Sequence, residues 1–312
     1  MSGKKKLWQA LEPGDIVDIV APASSSTGKD FQNALRFVHK MGLVPRAPKN
    51  IFGKDLLCAN TDHWRYQHLK KALYARDSKV IWSLRGGYGS LRLLPALAKL
   101  KAPLQQKLFI GYSDTTGIHH FLNSIWNWPT LHATMLEELG RGEAGRREIN
   151  DFIQILFNLT DSLVYEELEP MNSAARRPIK INAPIVGGNL AILTSTLGTP
   201  WPFSAKGKIL VLEDIGERGY RVDRMLVQMQ QAGALKGIRA LIFGDFVGGE
   251  ENKEEDCKYL WQDVQKLFAK QSSFPVLKGL PFGHGAFQRP LPFNTRAELV
   301  LGRKHQLKVN IK

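Results

Sequence analysis

The stretch Lys107-Leu108-Phe109-Ile110-Gly111-Tyr112-Ser113-Asp114-Thr115-Thr116 runs apolar, breaks at a glycine and turns into a polar helix start. The pattern predicts a buried strand over 107–112 that feeds a helix. A serine on such a sharp strand-to-helix turn is lifted out of the backbone. The helix N-terminus then directs amide N–H groups and positive dipole at it. A nucleophilic serine needs this placement. The elbow pattern G-x-S-x-G is met only in part, because Thr115 stands where the last glycine would be. The competing reading is that Ser113 or Asp114 simply caps a helix.

Outward from this stretch, strands and helices alternate. Residues 15–22 and 79–84 read as two further core strands. The first runs into Ala23-Ser24-Ser25-Ser26-Thr27-Gly28 and a helix over 29–41; a second helical pattern covers 64–75. The strand 79–84 ends in Arg85-Gly86-Gly87-Tyr88-Gly89-Ser90, before a helix over about 91–100. Such alternation predicts a parallel sheet with helices on both faces and a ligand crevice at the strand C-termini. The Ser24–Ser26 loop, the Gly86–Gly89 loop and Ser113 should therefore open on one sheet edge.

Residues 166–182, with Pro170 and Pro178 and little periodicity, read as a linker between lobes 1–165 and 183–312. In the second lobe, strands over 181–186 and 208–212 end respectively in Gly187-Gly188-Asn189 and Glu213-Asp214, and a further strand covers 239–243. Helices are expected from 191, over 220–232 and over 260–270, with an acidic, solvent-facing loop at 249–256. Residues 275–280 lead to Pro281-Phe282-Gly283-His284-Gly285, and a hairpin pairs 297–301 with 307–311. The expected class is α/β: a parallel-sheet N-terminal lobe and a smaller mixed α/β C-terminal lobe.

Composition narrows the function. Hydrophobic residues make up 43% of the 312 and charged residues 23%, enough apolar material for a proper core. The first ten residues carry charge but no apolar run behind it, unlike a secretory signal. No stretch approaches the ~18 apolar residues of a membrane span. Cys58 and Cys257 fit neither a metal spacing nor a disulfide framework, so a reducing cytoplasm is expected. The net charge is +14, but the basic residues are scattered, with no nucleic-acid motif among them. They read as a basic solvated surface that suits carboxylate-rich ligands.

Three reactive side chains follow apolar strands or lie in glycine-flanked loops: Ser113, Glu213 and His284. A serine nucleophile needs a base within hydrogen-bond reach, and the base needs an acid to hold its tautomer. Taken singly, His284 reads equally as a loop histidine, and Glu213 as an ion-pair partner of Arg218, Arg221 or Arg224. The loop Arg85-Gly86-Gly87-Tyr88-Gly89 lacks a complete dinucleotide pattern, since Arg92 occupies its last position. Its glycine amides can instead act as oxyanion donors. His119, His120 and His132 show no metal-site spacing and read as core or helix-face residues. Trp126, Trp128 and Trp201 line a pocket or fill the core.

Together these segments resemble the LD-carboxypeptidase family, the murein tetrapeptide carboxypeptidases, which also includes the microcin C self-immunity proteins. The resemblance is carried in order by Pro13-Gly14-Asp15, Ala21-Pro22-Ala23-Ser24, Arg85-Gly86-Gly87-Tyr88-Gly89 and Gly111-Tyr112-Ser113-Asp114. It continues through Gly187-Gly188-Asn189-Leu190, Gly198-Thr199-Pro200, Leu212-Glu213-Asp214, Tyr220-Arg221-Val222-Asp223-Arg224-Met225-Leu226 and Gly283-His284-Gly285. It implies a cytoplasmic serine peptidase with Ser113 as nucleophile, Glu213 as acid and His284 as base. The amides of Gly87 and Asp114 would form the oxyanion hole. The implied fold has a flavodoxin-like N-terminal lobe carrying Ser113 and a smaller mixed lobe carrying Glu213 and His284, often as a homodimer. The implied reaction releases terminal D-alanine from the L-centre of a recycled wall peptide or muropeptide. No metal or organic cofactor, nucleic acid or membrane partner is implied.

One departure follows His284. The family's Thr-Leu-Pro-x-Gly run is replaced by Pro290-Leu291-Pro292-Phe293-Asn294. Asn294 can stand for a glycine where φ must be positive, while Pro290 bears on the local loop shape and substrate fit. Two rival functions remain at this level. One is an immunity-type amidase acting on a peptidyl- or aminoacyl-nucleotide antibiotic. The other is a non-catalytic basic binding protein, against which the joint presence of Ser113, Glu213 and His284 argues.

Overall fold

The computed structural model describes residues 7–249 and 260–311. The basic residues Lys4–Lys6 and most of the acidic loop expected at 249–256 lie outside the described residues. Among those described, the strands are β1 (Ile16–Val20), β2 (Val44–Arg46), β3 (Ser78–Ser83), β4 (Leu108–Gly111), β5 (Thr130–His132), β6 (Ser162–Tyr165) and β7 (Glu169–Pro170). They continue with β8 (Ile179–Asn189), β9 (Ile209–Ile215), β10 (Ala240–Val247), β11 (Val276–Lys278), β12 (Leu291–Phe293), β13 (Thr295–Leu301) and β14 (Gln306–Asn310). No helix among the described residues is long and apolar enough to cross a membrane.

The chain forms two compact units, and the α/β expectation holds for both. Of the described residues, the first contains 7–161, 289–293 and 311. Its sheet has the order β12-β5-β4-β3-β1-β2. Strands β1 to β5 are parallel, and β12 pairs antiparallel with β5. Without that added edge the order is 2-1-3-4-5, the flavodoxin-like arrangement. Both faces of the sheet are covered, so its central strands are nearly continuous apolar runs. Trp82 of β3 is fully buried between Phe37 and Phe152, with ring centroids 6.4 and 5.2 Å away.

Of the described residues, the second unit contains 162–249, 260–288 and 294–310. Its sheet runs β6-β14-β13-β8-β9-β10-β11-β7. Strands β8 to β11 are parallel and the outer pairs antiparallel. Helices Gly219–Gln231 and Trp261–Gln271 pack Val222, Leu226, Met229, Val264 and Phe268 against Leu210, Leu212 and Phe243 of the sheet.

Two features depart from the sequence-based expectation. Residues 166–182 are folded into the second unit, with β7, the helix Ser173–Arg176 and the start of β8, and do not form a linker. The buried Asn172 explains this. Its Nδ2 donates to the carbonyls of Ala269, Ser272 and Phe274, and its Oδ1 accepts from the amides of Ala175 and Val276. Satisfying a buried amide in this way ties the segment to the helix end and to β11. The second departure is that residues 289–293 belong to the first unit. There Arg289 meets Asp151 at 2.6 Å and β12 extends the sheet beside β5.

Candidate active site

In the first unit, β4 ends at Gly111 and the helix Thr116–Ser124 begins after a short turn over Ser113–Thr115. Ser113 has φ +60, a conformation uncommon outside glycine and asparagine. Such strain is what a serine pays for projecting from a strand-to-helix elbow. Thr115, at the place of the missing glycine, braces the turn by donating its hydroxyl to the Tyr112 carbonyl at 2.8 Å. Tyr112 in turn donates its own hydroxyl to Glu138 at 2.7 Å.

The loop after β3 lies directly against this serine. A Cβ on Gly86 would sit 3.0 Å from Ser113 Cβ and 3.1 Å from its Oγ, so a side chain there would crowd the hydroxyl. Gly87 has φ +102, and a Cβ on it would meet Ser24 Cβ at 2.6 Å. Ser24 Oγ accepts the Tyr88 amide at 3.1 Å, while the Ser24 amide donates to Gly86 O at 3.1 Å. Asp114 holds the far side of the loop, accepting the amides of Gly89 at 3.1 Å and Ser90 at 2.8 Å. Burial pushes its carboxyl up, while the Ser90 and Gly89 contacts pull it back. The three loops expected on one sheet edge thus touch one another, and Ser24 joins a set that motif reading had left without a role for it.

In the second unit, β9 carries Glu213 beside Asn189 of β8. Glu213 is fully buried and His284 only partly so, with side-chain exposures of 0% and 12%. His284 Nδ1 donates to Glu213 Oε2 at 2.6 Å. That bond fixes the tautomer and leaves the ring's other nitrogen as the basic one. Gly283, at φ +119, makes the approach possible: a Cβ there would fall 2.6 Å from Glu213 Cβ and 2.9 Å from Oε2. Of the arginines considered as its partner, Arg221 pairs with Glu217 at 3.6 Å and Arg224 stacks over Tyr220 at 5.4 Å. Asp214, next along β9, takes the Asn189 side chain and the amides of Ala191 and Ile215. Burial, then the neighbouring Glu213 charge, raises its carboxyl to about 7.

The structure therefore joins Glu213 to His284 in one unit, and arrays Ser113, Gly87 and Asp114 around one turn in the other. The histidines considered for a metal are built into the core of the first unit. His119 Nε2 donates to Gly111 O at 2.8 Å and its Nδ1 accepts from Thr130 Oγ1 at 2.7 Å. Burial lowers it to about 4, so it stays neutral. It packs with Phe109, His132 and Phe293. Among the described residues, no group of three or more His, Cys, Asp or Glu is placed to hold a metal. Trp126 packs on Trp128 and on Phe121. Asn294 has φ +55, as its place in a glycine position requires.

Comparison with known proteins bears on this arrangement. Residues 17–133 match the sequence model of the LD-carboxypeptidase N-terminal domain and residues 182–299 that of its C-terminal domain. The murein tetrapeptide carboxypeptidase of Pseudomonas aeruginosa is 28% identical over 302 residues, covering 94% of each chain. The Microcin C7 self-immunity protein MccF of Escherichia coli is 25% identical over 328 residues, 95% of this chain and 93% of that one. The crystal structure of muramoyltetrapeptide carboxypeptidase from Oxalobacter formigenes superposes with a TM-score of 0.80 at 29% identity, over 95% of this chain and 98% of that one. With both family domains matched in order, and with the elbow serine and the Glu–His pair on their respective sheets, the chain belongs to the LD-carboxypeptidase family.

Proposed function

We propose that this protein is a serine-type LD-carboxypeptidase that releases terminal D-alanine from murein tetrapeptides. The observation that carries the reading is the 2.6 Å bond from His284 to the sealed carboxylate of Glu213. A buried acid holding one imidazole nitrogen is the arrangement a general base requires. The strained elbow at Ser113 supports it from the other unit.

In this reading Ser113 Oγ attacks the carbonyl carbon of the L-centre, and His284 takes the hydroxyl proton. The amides of Gly87 and Asp114 donate to the oxyanion, where each such donor contributes roughly 10²–10³ in rate. The tetrahedral intermediate collapses, the C–N bond breaks, and His284 returns the proton to the leaving amine of D-alanine. Water then attacks the acyl-enzyme with His284 again as base, freeing the shortened peptide and Ser113. Glu213 keeps the imidazole oriented and offsets the charge it gains. The same reading has the protein work in the cytoplasm on recycled wall peptides, as a homodimer that light scattering in solution would test.

The test is D-alanine release from a murein tetrapeptide by the purified protein and by Ser113→Ala. Release by the parent alone is expected; equal release by both would remove Ser113 as nucleophile. A second reading, amide cleavage in an aminoacyl-nucleotide antibiotic, is favoured by the similarity to the self-immunity protein. Turnover of an aminoacyl-nucleotide phosphoramidate, with none of the tetrapeptide, would decide for it.

A further inference from the structure

The register of β10 against β9 is regular up to Phe243 beside Leu212, and resumes with Phe246 beside Asp214. Gly244 and Asp245 thus stand opposite the single residue Glu213. Two residues against one is a β-bulge, a device that re-aims a side chain. Here it turns the Asp245 side chain toward the His284 loop. The Asp245 amide donates to Phe282 O at 2.8 Å. Its carboxyl lies against Gly285, where a Cβ would come 2.5 Å from Asp245 Cγ, and it takes a hydrogen bond from the Gly285 backbone. Gly244 is equally constrained, because a Cβ on it would strike the Phe282 carbonyl. One residue therefore grips the chain on both sides of His284, while Glu213 holds the ring.

We infer that Asp245 is a positioning residue for His284: it clamps the Phe282–Gly285 turn and adds a second carboxylate beside the Glu213–His284 pair. This inference rests on the reading of His284 as general base. Glu213 and His284 both act on Asp245 electrostatically. Asp214, beside Glu213 on β9, is already tied to Asn189, Ala191 and Ile215. Lys266 and Lys278 share with Asp245 the wall of a cavity of about 670 Å³, but pair with Asp263 and Glu169. One carboxyl oxygen, Oδ2, is buried and has no hydrogen-bond partner among the described residues. Burial, opposed first by the Gly285 contact, raises the group to about 6. Above that pH a carboxylate beside the imidazole favours its protonated form.

The experiment compares Asp245→Asn, Asp245→Ala and His284→Ala in pH profiles of kcat and kcat/KM for D-alanine release, with thermal unfolding of each. Asparagine keeps the shape and the acceptor for Gly285 but removes the charge. Asp245→Asn should move the acid limb of kcat/KM to lower pH by about half a unit or more, as loss of a nearby opposite charge requires. Asp245→Ala, which releases the turn, should lower kcat by roughly 10- to 100-fold with less change in KM, the scale on which misplaced catalytic groups act. Its loss of kcat should exceed that of Asp245→Asn. Parent-like profiles and kcat in both Asp245 variants would overturn the inference. So would an unshifted limb in a folded Asp245→Asn, which would mark a merely structural role. Full activity in His284→Ala would instead overturn the function on which the inference rests.

Discussion

Gly283→Ala separates the two demands that the histidine loop places on one residue. The first demand is backbone conformation. At φ +119 a side chain costs roughly 1–3 kcal/mol. The second is space, since the new Cβ would lie 2.6 Å from Glu213 Cβ and 2.9 Å from the oxygen that binds His284. Crowding of this kind in a packed interior costs a further ~1–3 kcal/mol. The sum is about 2–6 kcal/mol, and relief by shifting either partner breaks the 2.6 Å bond. Gly233→Ala is the control. It too has positive φ, at +73, but meets nothing within 4 Å. It should lose only ~1–2 kcal/mol, about 2–8 °C in unfolding midpoint at ~2–4 °C per kcal/mol, and keep its activity. Calorimetry and D-alanine release should show Gly283→Ala less stable than the control and lower in kcat/KM by ~10², the penalty for a catalytic group displaced by about 1 Å. A folded Gly283→Ala with parental kcat/KM would refute the argument that this contact sets the histidine.

Other outcomes follow from the same geometry. Glu213→Gln keeps the volume but places an amide against His284 Nδ1; kcat should fall roughly 10³–10⁴-fold, as when a triad acid is neutralised, and a loss under tenfold in steady-state kinetics would count against the pair. Glu148 is buried, and this raises its carboxyl from 4.5 to about 7. The folded chain therefore holds a proton there that the unfolded chain releases earlier, so this residue's contribution to stability is full at low pH and falls by roughly 3 kcal/mol as pH rises from about 4 to 7. Glu148→Gln should flatten that decline in denaturation midpoints across the range, and an unchanged slope would contradict the assignment. Activity should survive EDTA; a loss that zinc restores would replace the serine mechanism with a metal-dependent one.

Much of the architecture was legible in the chain because strands buried on both faces must be continuously apolar. Lys79–Leu84 and Lys208–Leu212 announced themselves in this way, and the structure places β3 and β9 over them. Glycines were equally readable: only a residue without Cβ allows Gly86 to lie on Ser113 and Gly283 on Glu213. What pattern could not supply was partnership over distance. β5 and β12 are three residues each, too short for periodicity, and they pair across more than 150 residues of sequence. Pro170 and Pro178 suggested a linker, yet the amide of Asn172 meets carbonyls about 100 positions away and folds the segment in. Asp245 lies beyond the strand expected over 239–243, and no motif marks it. Its place beside His284 arises from a one-residue slip between β9 and β10, which becomes visible only when both strands are laid side by side. Local sterics and burial thus wrote the elements and their glycines into the sequence, while hydrogen bonding between remote segments chose which side chains meet.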